Sequence, residues 1–89
     1  MLILLLFIAG NEVNSRMARK QVDRLISTYP EAGVRVKTID VWEDPENVRK
    51  HRVIMTPMLI AETSHDTVRL YGNLTDWAKL TTALGLPKK

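Results

Sequence analysis

Met1–Ala9 is an unbroken apolar run, and it constrains the fold more than any other segment. A transmembrane helix needs about 20 such residues, so the run is less than half long enough to span a bilayer. A secretory leader carries a positive n-region and a small-x-small cleavage site; here the run gives way to Gly10-Asn11. Without polar alternation it reads as a central strand covered on both faces, which calls for helices on either side of a sheet. The rest of the chain bears on whether such a core can be filled. At 89 residues it is expected to form one domain over 1–89, and its 45% apolar content is enough for one modest core. A domain of this size buries only about 60–65% of its surface on folding, so an exposed apolar flank would favour self-association.

The sequence has no cysteine, which excludes disulfides, thiol catalysis and thiolate metal sites, and is compatible with a cytoplasmic protein. A net charge of +3 is too small to argue for nucleic-acid binding by itself.

Beyond the first strand, Asn14 or Ser15 is placed to cap a helix. Ala18, Val22, Leu25, Ile26 and Tyr29 then form one apolar stripe, and Pro30 and Gly33 stop the helix near Tyr29. Val34–Val41 is β-branched and reads as a strand parallel to the first. Asp44-Pro45 opens a short helix over Pro45–Arg52, with Val48 and Val53 marking its buried side. Met58–Ala61 and Thr67–Tyr71 read as an antiparallel hairpin around the turn Ser64-His65-Asp66. Gly72-Asn73 breaks the chain, Thr75 is placed to cap a last helix, and Trp77, Leu80 and Leu84 give that helix its buried stripe. The order is β-α-β-α-β-β-α with a mixed four-stranded sheet.

Thr56-Pro57 leading into an apolar strand resembles the cis-proline loop of thioredoxin-type folds. Asn11-Glu12-Val13-Asn14 has the spacing of the redox Cys-x-x-Cys of those folds, with asparagine at both cysteine positions. An amide cannot become a thiolate, so the resemblance implies the frame without its redox chemistry. An X-Pro bond is cis only about 5–6% of the time in folded proteins. A thioredoxin-like topology raises the expectation of a cis bond here.

Four ordered segments resemble the KaiB family of circadian clock proteins. They are Leu6-Phe7-Ile8-Ala9-Gly10-Asn11 with Asn14-Ser15; Ile39-Asp40-Val41 with Asp44-Pro45; Met55-Thr56-Pro57-Met58-Leu59; and Arg69-Leu70-Tyr71-Gly72-Asn73-Leu74-Thr75-Asp76. The resemblance runs from about Leu4 to Leu86. It implies a non-enzymatic protein that binds the ATPase ring of KaiC, with KaiA or a SasA-type kinase as further partners and a homo-oligomer (dimer or tetramer) at rest. It also implies a second, resting fold in which the second half of the chain is rearranged, with Gly72, Asn73 and Asp76 at the junction. Some features depart from the family pattern. The loop between the last two strands, Glu62-Thr63-Ser64-His65-Asp66, has no proline, Ala61-Glu62 replaces a customary lysine, and the sequence closes on Pro87-Lys88-Lys89 rather than acidic residues.

The expected partner-binding residues are Ala9, Gly10, Asn11, Asn14, Arg16, Lys20, Arg24, Thr56 and Pro57. Asn11 and Asn14 stand at a helix N-terminus, where free N–H groups welcome an acidic group; ordinary turn and capping chemistry, which asparagine supplies routinely, is the leading reading of the pair. Arg16, Lys20 and Arg24, with Arg19 adjacent, form a positive stripe that suits an acidic partner or simply faces solvent, with Asp23 partly offsetting it. No aromatic residues interleave with these cations to stack bases, so nucleic acid is not an expected partner, nor is a membrane. His51 and His65 read as solvated, no metal or other cofactor is expected, and Asp40, Glu43, Asp44 and Glu46 read as capping and surface charge. Trp42 and Tyr71 are candidate interface anchors, with burial in the core the expected role of each. Two alternatives stand beside the clock reading: a sensory domain of a SasA-type histidine kinase, and a cysteine-less thioredoxin-like adaptor unrelated to a clock.

Overall fold

The computed structural model describes residues 2–89. Strand β1 (Leu2–Ile8) leads to helix α1 (Val13–Thr28), a 3-10 turn at Pro30–Ala32 and strand β2 (Val34–Asp40). Helix α2 (Pro45–Lys50), strands β3 (Met58–Glu62) and β4 (Thr67–Tyr71) and helix α3 (Trp77–Ala83) follow. The strands form one sheet in the order β2-β1-β3-β4. β1 runs parallel to β2 and antiparallel to β3, and β4 is antiparallel to β3. The fold is the thioredoxin-like α/β arrangement expected from the element order. The second half is in its helix–hairpin–helix form, not the rearranged alternative.

The pleat of β1 divides the core in two. Leu2, Leu4, Leu6 and Ile8 point to one face, where they pack with Ala18, Val22, Leu25 and Tyr29 of and just after α1 and with Leu80 and Leu84 of and just after α3. Phe7 points to the other face and clusters with Ile39, Met58 and Ile60, joined by Leu5, Val41 and Val53. The expectation of complete cover on both faces needs correction. The second face is shielded only near Phe7, because α2 has just 6 residues, and Ile3 at the far end of the strand is 37% exposed. In the predicted α1 stripe, Ile26 is likewise a rim residue and not core.

The helix starts differ from expectation by one or two residues. Glu12 caps α1 in place of Asn14 or Ser15, its carboxylate accepting from the Ser15 N–H. Asp76 caps α3 in place of Thr75, accepting from the Lys79 N–H. Asp44 caps α2 as expected, but the helix stops at Lys50 and Arg52 beyond it turns left-handed at φ 52°. The hairpin turn closes on Thr63, whose hydroxyl accepts from the backbone N–H groups of His65 and Asp66. At the end of the chain, Leu86 packs against the larger core and the Tyr29 hydroxyl donates to the Pro87 carbonyl. The Lys89 ammonium reaches the Thr28 carbonyl and the Glu31 carboxylate. The last residues thus lie against the C-terminal end of α1. Among the described residues no helix is long and apolar enough to cross a membrane.

Candidate functional site

The strand directions place four loops at one end of the sheet: those after β1 and β2, the one before β3, and the one after β4. Ala9, Gly10 and Asn11 come from the first, with Asn14 in the first turn of α1 just beyond it, Thr56 and Pro57 from the third, and Gly72 and Asn73 from the fourth. Two groups of residues separated in sequence, the expected partner-binding loops and the expected junction, therefore share one end of the molecule. Asp76 joins them as the cap of α3. Arg16, Lys20 and Arg24 do not stay at this end, because α1 carries them progressively away from it along an exposed face.

The first loop is held by a network around Ser15, which is fully buried. Its hydroxyl accepts from the Ala9 N–H at 3.1 Å and donates to the Glu12 carboxylate at 3.0 Å, while its own N–H donates to the same carboxylate at 2.7 Å. The Ser15 backbone N–H is the chief reason the Glu12 carboxyl is held below its ordinary range; desolvation opposes this, and the Ser15 hydroxyl, the Asn14 N–H and the Arg16 charge support it. Gly10 adopts φ 55°, a conformation that costs glycine little. Its N–H donates to the Asp40 carboxylate, which also accepts from the Trp42 N–H, so one side chain ties the first loop to the second.

Thr56-Pro57 is cis and Pro57 is buried. The Pro57 carbonyl accepts from the Gly72 N–H at 2.9 Å, extending the β3–β4 ladder by one rung and joining the third loop to the fourth. Gly72 has φ 94°, and Leu74 is left-handed at φ 64° despite its side chain. Leu74 is kept there by burial and by the Gln21 side-chain amide, which donates to its carbonyl at 2.7 Å. Asn73 accepts from the Thr75 N–H and hydroxyl and donates to the Asn14 side chain at 3.3 Å. A groove of about 300 Å³ opens here, lined by Asn14, Tyr71, Asn73, Leu74, Asp76 and Lys79 among others.

Three of the expected placements change. Arg24 is committed to an internal contact, its guanidinium 3.9 Å from the Trp77 ring centroid, whereas Arg16, Arg19 and Lys20 face solvent. Trp42 and Tyr71 are not core residues: they are 76% and 45% exposed. Trp42 follows an edge strand, and its turn carries the indole out over Gly10 rather than back onto the sheet. His51, expected in solvent, is half-buried with its ring 5.5 Å from that of Phe7. Sequence reasoning missed Ile54 and Met55, which are 82% and 51% exposed beside Thr56. The signal was two large apolar residues just before the cis-proline turn, in a stretch with no helical or strand period. Among the described residues no three of His, Asp and Glu gather where they could hold a metal ion.

The family model described as the KaiB domain matches residues 5–86. Circadian clock protein KaiB3 of Synechocystis is 27% identical over 85 residues, covering 96% of this chain and 83% of that protein. The circadian clock oscillator protein KaiB of Synechococcus elongatus is 30% identical over 84 residues, covering 94% and 82%. Among solved structures, chloroplastic thioredoxin z superposes with a TM-score of 0.80 at 18% identity, covering 96% of this chain and 76% of that one. Mitochondrial thioredoxin 3 of Saccharomyces cerevisiae gives a TM-score of 0.76 at 21% identity, covering 96% and 78%. At such identities these thioredoxins bear on the fold alone.

Proposed function

The chain belongs to the KaiB family of circadian clock proteins, and from that membership we propose that it is a non-enzymatic, cytoplasmic regulator that binds a KaiC-type ATPase ring. The observation that carries the proposal is the convergence of Ala9–Asn14, Thr56-Pro57 and Gly72-Asn73 on one end of the sheet. That end has the backbone frame of a thiol-exchange site and asparagines where thiols would act, so recognition is the chemistry left to it. Arg16 and Lys20, on the exposed face of α1, extend this surface with positive charge for acidic groups of the ring. KaiA or a SasA-type kinase would be further partners, and a homo-oligomer the resting state. Gly72, Asn73 and Asp76 would be the junction about which the second half rearranges, with the form described above as the binding form.

The test is capture of the purified chain by the KaiC-type ATPase encoded in the same genome, with and without ATP. Retention of the chain on the ring is the expected result. Absence of binding under both conditions, or turnover of disulfide, glutathione or peroxide substrates by the chain, would sink the proposal.

A further inference from the structure

β4 is an edge strand, hydrogen-bonded to β3 alone. The bonds at the two ends of that pairing fix which way its backbone points. The Thr63 N–H donates to the Asp66 carbonyl at 2.8 Å, and the Gly72 N–H donates to the Pro57 carbonyl at 2.9 Å. Inward bonds of an antiparallel pair fall on alternate residues, so Val68 and Leu70 bond to β3 between these two rungs. Thr67, Arg69 and Tyr71 therefore turn their N–H and C=O groups away from the sheet, and nothing among the described residues pairs with them. All three residues are exposed, and the register runs from Thr67 to Tyr71 without a bulge or a proline. Such an edge is a template for one more strand, and proline, bulges and charges are the devices that close it. Here the one such device in the strand is a charge, Arg69, at its middle.

Arg69 is not neutralised within the chain. On β3 it stands opposite Ile60, with Met58 and Glu62 on the diagonals. Its guanidinium turns toward Met58, Nη1 lying 3.7 Å from the sulfur, and it makes no ion pair with Glu62. Further along the same row of the sheet come Leu5 and then Lys37, so no acid faces Arg69 from that side. On the opposite face, Asp76 and Lys79 line the groove beside Leu70 and Tyr71, one charge of each sign. A second copy paired along the whole of β4 about a two-fold axis would set Arg69 directly opposite Arg69, and like charges so placed are destabilising. The edge is thus closed to its own copy and open to a strand with the opposite charge at that place. We infer that β4 takes an extended segment of a partner protein as a fifth strand of the sheet, with a carboxylate of that segment opposite Arg69. The guanidinium fork matches a carboxylate, and the outward N–H and C=O groups of Thr67, Arg69 and Tyr71 hold the main chain of the segment. This surface runs along the side of the sheet, and the inference stands apart from the ring-binding reading.

The probe is the end-capped peptide Thr-Val-Glu-Val-Thr, with Thr-Val-Lys-Val-Thr as its charge-reversed control. Each is titrated to millimolar concentration into the isotope-labelled chain while the backbone amides are followed by NMR. The expected result is that the glutamate peptide shifts the amides of Thr67, Arg69 and Tyr71 and slows their hydrogen exchange. It should bind about fivefold or more tighter than the lysine peptide. R69E changes an exposed side chain, a thermal melt shows that it folds, and it should reverse the preference between the two peptides. Affinities for the two peptides within about twofold of each other, or a preference that R69E leaves in place, would overturn the acidic character assigned to the segment. No response at the three amides, or a response confined to Ala9–Asn14 and Thr56, would overturn the strand addition itself.

Discussion

The side-chain amide of Asn73 donates to the side-chain Oδ1 of Asn14 at 3.3 Å, linking the start of α1 to the turn before α3 across 59 residues of sequence. The pair is exposed, so the bond competes with water and contributes little alone. Asn73 also fixes its own turn through Thr75. N14A is therefore expected to cost about 0.5 kcal/mol and N73A about 1 kcal/mol or more in chemical denaturation. Equal costs would show that the Thr75 turn contributes nothing.

Ser15 supplies the single acceptor of the Ala9 N–H in the first loop. S15A removes that acceptor from a fully buried site and leaves the N–H without a partner, a loss expected to cost about 1–3 kcal/mol. Denaturation midpoints test the cost. Accelerated hydrogen exchange at Ala9, measured by NMR, would locate it.

Glu12 predicts the direction of a pH effect. Its folded-state pKa lies below the ordinary glutamate value, chiefly because its carboxylate accepts from the Ser15 N–H. The stabilisation is thus present above the unfolded-state pKa and is lost as pH falls through the lower, folded-state value. Asp44, depressed by the Asn47 side-chain and backbone bonds, adds a loss of the same sign. E12Q should flatten the acid limb of a stability-against-pH profile and leave the neutral region without this dependence. An acid limb identical to that of the wild type would remove Glu12 from the account.

Arg24 lies over the Trp77 ring, a contact expected to be worth about 0.5–1 kcal/mol at an exposed site. R24A should lower stability by that amount, with no further loss when W77L has already removed the ring. Charge reversal at Lys20, which is exposed, should leave stability nearly unchanged and slow association with an acidic partner in a salt-dependent way.

What the sequence revealed of this fold, and what it hid, follow from the range of the interactions involved. The α1 stripe from Ala18 to Tyr29 and the unbroken apolar run of β1 are local periodicities, and each named its element directly. The hairpin was marked by its turn residues and the third loop by Thr56-Pro57. The caps were harder, because several adjacent residues can fill the same role. Glu12 reached the Ser15 N–H, while Asn14 turned toward Asn73, a partner that only the folded chain supplies. Trp42 and His51 were misjudged for a related reason. Whether an aromatic residue after a strand points inward depends on the path of its turn, and His51 gained its neighbour Phe7 only through sheet packing. The four loops could each be read in sequence, but their meeting at one end depends on strand order.

The docking of Leu86, Pro87 and Lys89 against the end of α1 has a practical side. Leu2 opens β1 and Lys89 rests beside Thr28, so both points of attachment lie at the pole opposite the four loops. A label, a surface tether or a fused protein joined at either position projects away from Trp42, Asn11 and Thr56. Immobilised through Leu2 or Lys89, the chain would present its four-loop end outward, and tethering it opposite a candidate partner could measure the force needed to part the two.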